Sequence, residues 1–109
     1  MWTVALPNQP SDPHTPRPAL VLSIDVRNRL AGDVIVVPLS TNLRPLSTHV
    51  LIPAGTGGLR QDSMAKCEQI TTLEKSLLHN GPLGDPLSDD LLRRVVLAVR
   101  RAVGEILPA

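Results

Sequence analysis

Short apolar runs separated by proline- and glycine-rich breaks fill most of the chain, and one stretch of helical periodicity closes it. Trp2-Thr3-Val4-Ala5-Leu6 reads as a short strand. Pro7 to Pro16 cannot be regular, because prolines at positions 7, 10, 13 and 16 lock φ and remove amide donors. Ala19–Ile24 and Val34–Leu39 are nearly continuous apolar runs, the pattern of buried strands. The polar interval Asp25 to Asp33 between them ends in Ala-Gly-Asp, a turn signal. After a loop broken by Pro45, Thr48–Ile52 predicts a fourth strand, closed by Pro53 and the tetrad Gly55-Thr56-Gly57-Gly58. Asp62–Ile70 predicts a fifth. No crossover helices separate these strands, so the pattern predicts a small barrel rather than a parallel sheet.

The period then changes. Ser88 is placed to cap a helix, and Asp89 and Asp90 suit its positive end. Leu91, Leu92, Val95, Val96, Val99, Val103 and Ile106 fall on one side at about 100° per residue. Arg93, Arg94, Arg100, Arg101 and Glu105 take the other side, with Leu97 stranded among the arginines. The helix is expected to pack against the barrel or a partner and to end at Pro108.

Composition narrows the possibilities. A chain of 109 residues is read as one domain, 1–109, with 42% apolar and 19% charged residues, enough to fold. Trp2 is the only aromatic residue, so the core is aliphatic and no platform exists for stacking several bases. A net charge of +1 argues against coating nucleic acid by bulk electrostatics, so any RNA contact must be local. The single cysteine, Cys67, excludes an internal disulfide and fits a reducing compartment. Neither a run of roughly 20 apolar residues nor a secretory leader is visible, which makes a soluble cytoplasmic protein the expectation.

The candidate chemistry centres on two strand ends. Arg17-Pro18 stands at the mouth of one apolar run, and Ser40-Thr41 at the exit of its neighbour. A guanidinium offers a planar fork that matches two phosphate oxygens and keeps its charge. Beside a hydroxyl it suits a phosphodiester. Glu68-Gln69, placed on the predicted fifth strand, could read base edges of a single strand. The glycine tetrad lacks the Gly-Lys-Ser/Thr ending of a phosphate loop. His14, His49, His79 and Cys67 show no metal-ligand spacing, so no cofactor or metal is expected. Ser23 or Ser63 with His49 and Asp25 or Asp62 could be assembled into a triad, but no nucleophile elbow surrounds either serine. His49 titrates near neutrality when unperturbed and is chemically admissible as a general base.

Three segments occur in the order seen in the MazF/PemK toxins: Arg17-Pro18-Ala19-Leu20-Val21-Leu22-Ser23, Val36-Val37-Pro38-Leu39-Ser40-Thr41, and Leu59-x-x-Asp62-Ser63 with Cys67-Glu68-Gln69-Ile70-Thr71-Thr72-Leu73. The chain resembles that family from Trp2 to the final helix. The resemblance implies an SH3-like barrel of about five strands with a C-terminal helix, usually a homodimer, acting as the toxin of a toxin–antitoxin pair. It implies a metal-independent endoribonuclease that cuts single-stranded RNA and leaves 2′,3′-cyclic phosphate and 5′-hydroxyl ends. The family's catalytic arginine matches Arg17 and its catalytic threonine falls on Ser40, with Thr41 adjacent. The acidic residue of the family's first loop matches Asp12, after Ser11, and the RNA-contacting pair late in the barrel matches Glu68 and Gln69. Where the family's first loop carries glycines, this one carries Pro13 and Pro16.

On this resemblance the substrate's own 2′-hydroxyl attacks the adjacent phosphorus. Arg17 neutralises the transition state and Ser40 or Thr41 donates to a non-bridging oxygen. His14, Asp12 or Arg17 itself serves as base. The implied partners are single-stranded mRNA and a disordered, acidic antitoxin segment lying across the groove between protomers. The alternative is a toxin resembling CcdB, or a degenerate family member, that acts only by gripping a protein.

Overall fold

A computed structural model describes residues 1–4, 17–79 and 84–106. Seven strands, all paired antiparallel, form one sheet: β1 (Trp2–Val4), β2 (Arg17–Val21), β3 (Asp33–Ser40), β4 (His49–Ile52), β5 (Ser63–Lys66), β6 (Thr71–Glu74) and β7 (Leu78–His79). Among the described residues two α-helices, α1 (Asp25–Leu30) and α2 (Asp89–Ala102), and three single-turn 3-10 helices accompany the sheet.

The eight-residue β3 is the hub. One edge carries β2; the other is shared by β6 along Asp33–Val36 and by β5 at Leu39–Ser40. Strand order runs β4-β5-β3-β2-β1-β7. Among the described residues no ladder joins β4 to β7, so the expected barrel is an open sheet. The extra strands arise because the predicted fifth strand is two, β5 and β6, split by a 3-10 turn at Cys67–Gln69.

β3 is covered on both faces, which is why Val34-Ile35-Val36-Val37 reads as an unbroken β-branched run. Val37 and Leu39 face the main core with Leu20, Ile52, Ala65, Cys67, Val95 and Ala98. Val34 and Val36 face a second cluster with Ala19 and Leu73. Ile52, Val36, Val37 and Val95 are completely buried, each worth about 1.5–3 kcal/mol of apolar transfer.

α2 closes the main core. Ser88 Oγ accepts from the Leu91 amide at 3.2 Å, as the sequence predicts, and Val95 and Ala98 point inward. The helix stops earlier than Pro108. Gly104 adopts φ +91°, and the amides of Gly104 and Glu105 donate back to Arg101 and Arg100 carbonyls, a glycine stop. Val103 and Ile106, expected on the packed side, are 75% and 97% exposed. Leu97 is half-buried, in a groove shared with Arg94 and Arg101.

The interval Asp25–Asp33 holds α1 rather than turn alone. Ser23 Oγ accepts from the Ile35 amide at 3.0 Å and donates to Asn28 Oδ1, while Asn28 Nδ2 returns a bond to Ser23 O. Arg27 pairs with Asp33 at 2.6 Å. This polar staple, not hydrophobic periodicity, holds the helix across β2 and β3; Ile24, Val26 and Leu30 stay exposed. No helix among the described residues is long and apolar enough to cross a membrane.

Candidate active site

The β2–β3 ladder pairs Ala19 with Pro38, Leu20 with Val37 and Val21 with Val36. Carried two residues further, the same register sets Arg17 opposite Ser40. Ser40 in turn pairs with Met64 of β5, and Met64 with Leu51 of β4. Opposed residues of an antiparallel sheet share a face, so Arg17, Ser40, Met64 and Leu51 form one lateral row. The row lies on the face opposite the main core, at the end of the sheet away from the second cluster.

Arg17 is half-buried, and its Nε is enclosed without a hydrogen-bond partner among the described residues. An enclosed donor with nothing to bond costs about 1–3 kcal/mol. Such a cost is tolerable where an anionic acceptor arrives during function. Ser40 Oγ accepts the Asn42 amide at 3.1 Å. That bond fixes the oxygen and leaves the hydroxyl proton free to donate. Thr41 is exposed beside it. Ser11, Asp12 and His14 lie outside the described residues.

Glu68 and Gln69 are exposed, but on the 3-10 turn after β5 rather than on a strand. The turn forms where the chain leaves the Leu39–Ser40 end of β3 and rejoins it at Val36. The Glu68 carboxylate is gripped by His49: Nε2 lies 2.8 Å from Oε1 and 3.2 Å from Oε2. Nδ1 of the same ring faces Arg44 O at 2.8 Å. Both ring nitrogens face protein acceptors and the side chain is 5% exposed, so neither is open to a substrate proton, and the geometry does not support His49 as the base. Sequence reasoning missed its link to Glu68. The 19 residues separating them carry no signal of the pairing.

The remaining sequence candidates resolve into structural roles. Ser23 is committed to Asn28, Ser63 is buried and donates to Gln61 O, and Asp62 accepts the Ala54 amide at 2.8 Å, so no triad assembles. The glycine tetrad is a left-handed turn, with Gly55, Gly57 and Gly58 all at positive φ, packed against Gly84 and Leu87. Cys67 is buried, and that burial, with the charge of Glu68 adding to it, pushes its thiol up to about 11. It is inert as a nucleophile.

A curved antiparallel sheet with a closing helix is the architecture of a solved mycobacterial endoribonuclease held in complex with its cognate antitoxin; the likeness has a TM-score of 0.76 at 21% identity and covers 98% of this chain and 93% of that one. That likeness shows a shared fold, a small mainly-β domain closed by a C-terminal helix. The sequence model describing the PemK-like, MazF-like toxins of type II toxin–antitoxin systems matches residues 1–103, and the chain belongs to that family. Endoribonuclease MazF9 of Mycobacterium tuberculosis is 36% identical over 80 residues, spanning 67% of this chain and 68% of that protein. Endoribonuclease EndoA of Bacillus subtilis is 38% identical over 64 residues, spanning 57% of this chain and about half, 55%, of that enzyme.

Proposed function

We propose that the protein is a cytoplasmic toxin, residues 1–109 acting as a single domain, that cleaves single-stranded RNA without a metal ion. The observation that carries this is the alignment of Arg17 with Ser40, the arginine bearing an enclosed Nε without a partner among the described residues, in a chain whose relatives are endoribonucleases. The substrate's 2′-hydroxyl attacks the adjacent phosphorus, the 5′-oxygen leaves, and the products are a 2′,3′-cyclic phosphate and a 5′-hydroxyl. Negative charge gathers on the non-bridging oxygens as the fifth bond forms. The Arg17 fork neutralises it, and the Ser40 hydroxyl donates to one of these oxygens. One preorganised donor of this kind is worth about 3–4 kcal/mol.

A guanidinium stays protonated in proteins and is a poor base, which leaves Asp12 and His14 as the groups to accept the 2′-hydroxyl proton. Ser11, Asp12, Thr41, Glu68 and Gln69 hold the strand on either side. An acidic antitoxin segment that folds on binding would cover the same surface, and a homodimer would set two such surfaces side by side.

The deciding experiment incubates the purified protein with a long RNA in EDTA and maps both new ends. Cyclic phosphate and 5′-hydroxyl termini, lost in Arg17→Ala and when the attacking 2′-hydroxyl is replaced by hydrogen, are the expected result. Equal cleavage of the 2′-deoxy substrate refutes the mechanism. Co-expression with a cognate antitoxin should relieve growth arrest.

A further inference from the structure

We infer that His49 is a positioning residue: it holds the Glu68 carboxylate on the RNA-contacting face so that Glu68 selects a base bearing an exocyclic amino group. This rests on the cleavage reading and adds to it the origin of one element of sequence preference.

The geometry has three parts. First, the ring is sequestered: the His49 side chain is 5% exposed, against 33% for Glu68. Its two nitrogens face two acceptors, Arg44 O at 2.8 Å and the Glu68 carboxylate at 2.8 and 3.2 Å. A neutral ring carries one N–H and serves only one acceptor, whereas the doubly protonated ring serves both.

Second, the ring ties the loop just before it, five residues upstream, to a turn 19 residues downstream. His49 opens β4, Arg44 lies on the segment leaving Ser40, and Glu68 lies on the turn that follows β5. Without this link the Glu68 side chain, on a short exposed turn, would sample several rotamers at an entropic cost to any ligand that needs one of them.

Third, the placement faces the reaction. His49 pairs with Lys66, and Leu51, two residues on, pairs with Met64, the partner of Ser40. Two residues along a strand return to the same face at about 6.8 Å. The imidazole therefore stands on the Arg17–Ser40 face, one pleat along from Leu51 and, at about 4.8 Å per strand, roughly 12 Å from Ser40.

A carboxylate has about four acceptor positions. His49 engages part of them and the exposed remainder can accept an exocyclic amino group, as Glu and Asp do from cytosine N4. Uracil has no such group.

The test uses the full-length chain and one long RNA. Cut sites are mapped for wild type, His49→Leu, His49→Gln and Glu68→Gln, with KM, kcat and melting temperature measured in parallel. His49→Leu keeps bulk and removes both ring nitrogens; His49→Gln restores an N–H towards Glu68. His49→Leu should relax preference at a single base position, raising KM roughly tenfold on an amino-bearing base with kcat nearly unchanged. His49→Gln should restore the preference. In a Glu68→Gln background, His49→Leu should change the cut spectrum no further. An active wild type whose base preference survives His49→Leu overturns this inference alone, and a wild type that cuts no RNA fails the cleavage reading. If His49→Leu does not fold, Glu68→Gln decides: unchanged base preference overturns the inference.

Discussion

Replacing Arg17 by methionine tests whether the arginine is held for function at the expense of stability. Methionine keeps an unbranched stem in the half-buried position while removing the charge and every nitrogen. The enclosed Nε has no partner among the described residues. Leaving such a donor unsatisfied costs about 1–3 kcal/mol, and a same-shaped apolar replacement recovers that cost. At about 4 °C per kcal/mol for a domain near 100 residues, the variant should melt roughly 4–12 °C above wild type. Cleavage should fall by at least about 10²–10³-fold, the loss expected for one preorganised charge-stabilising group. Arg17→Lys separates the terms: it keeps a cation but loses both the planar fork and Nε, so it too should gain stability while remaining poorly active. Thermal unfolding by circular dichroism and end-mapped RNA cleavage read the two effects independently. A methionine variant that melts below wild type would show that Nε is satisfied in the folded protein, and the stability–activity argument would fail.

Two further outcomes follow from the packing. Gly84 sits at φ +59°, and a Cβ there would lie 2.4 Å from Gly58 N; Gly84→Ala should therefore cost more than the 1–2 kcal/mol of the left-handed backbone alone, read from the urea midpoint. Burial pushes the Cys67 thiol up to about 11, above about 8.5 for an unfolded cysteine. The unfolded chain releases that proton first, so stability should decline as pH rises from about 8.5 towards 11. Cys67→Ala should remove that part of the slope, and the native thiol should resist alkylation at pH 8.

How far the site was legible depended on the range of each interaction. Arg17 and Ser40 were readable because both end apolar runs, and runs announce strands. Their alignment across β2 and β3 is a register, which the turn network of Ser23, Asn28, Arg27 and Asp33 helps set from outside either strand. Glu68 and Gln69 were identified as residues but given the wrong backbone. Asp62–Ile70 alternates well enough to pass as one strand, yet β3 is long enough to take two partners on one edge, and the chain must turn between them.

Local chemistry written in the order of residues determined the strand segments, the Ser88 cap, the aliphatic character of the core and the two groups suited to a phosphodiester. Those properties need only neighbours in the chain. Tertiary structure alone decided that no ladder closes the sheet among the described residues, that α2 stops at Gly104 with Ile106 in solvent, and that His49 serves Glu68 rather than a substrate. Each of these depends on which surfaces meet across long separations in sequence. A ring nitrogen becomes donor or base according to the acceptor that folding brings to it.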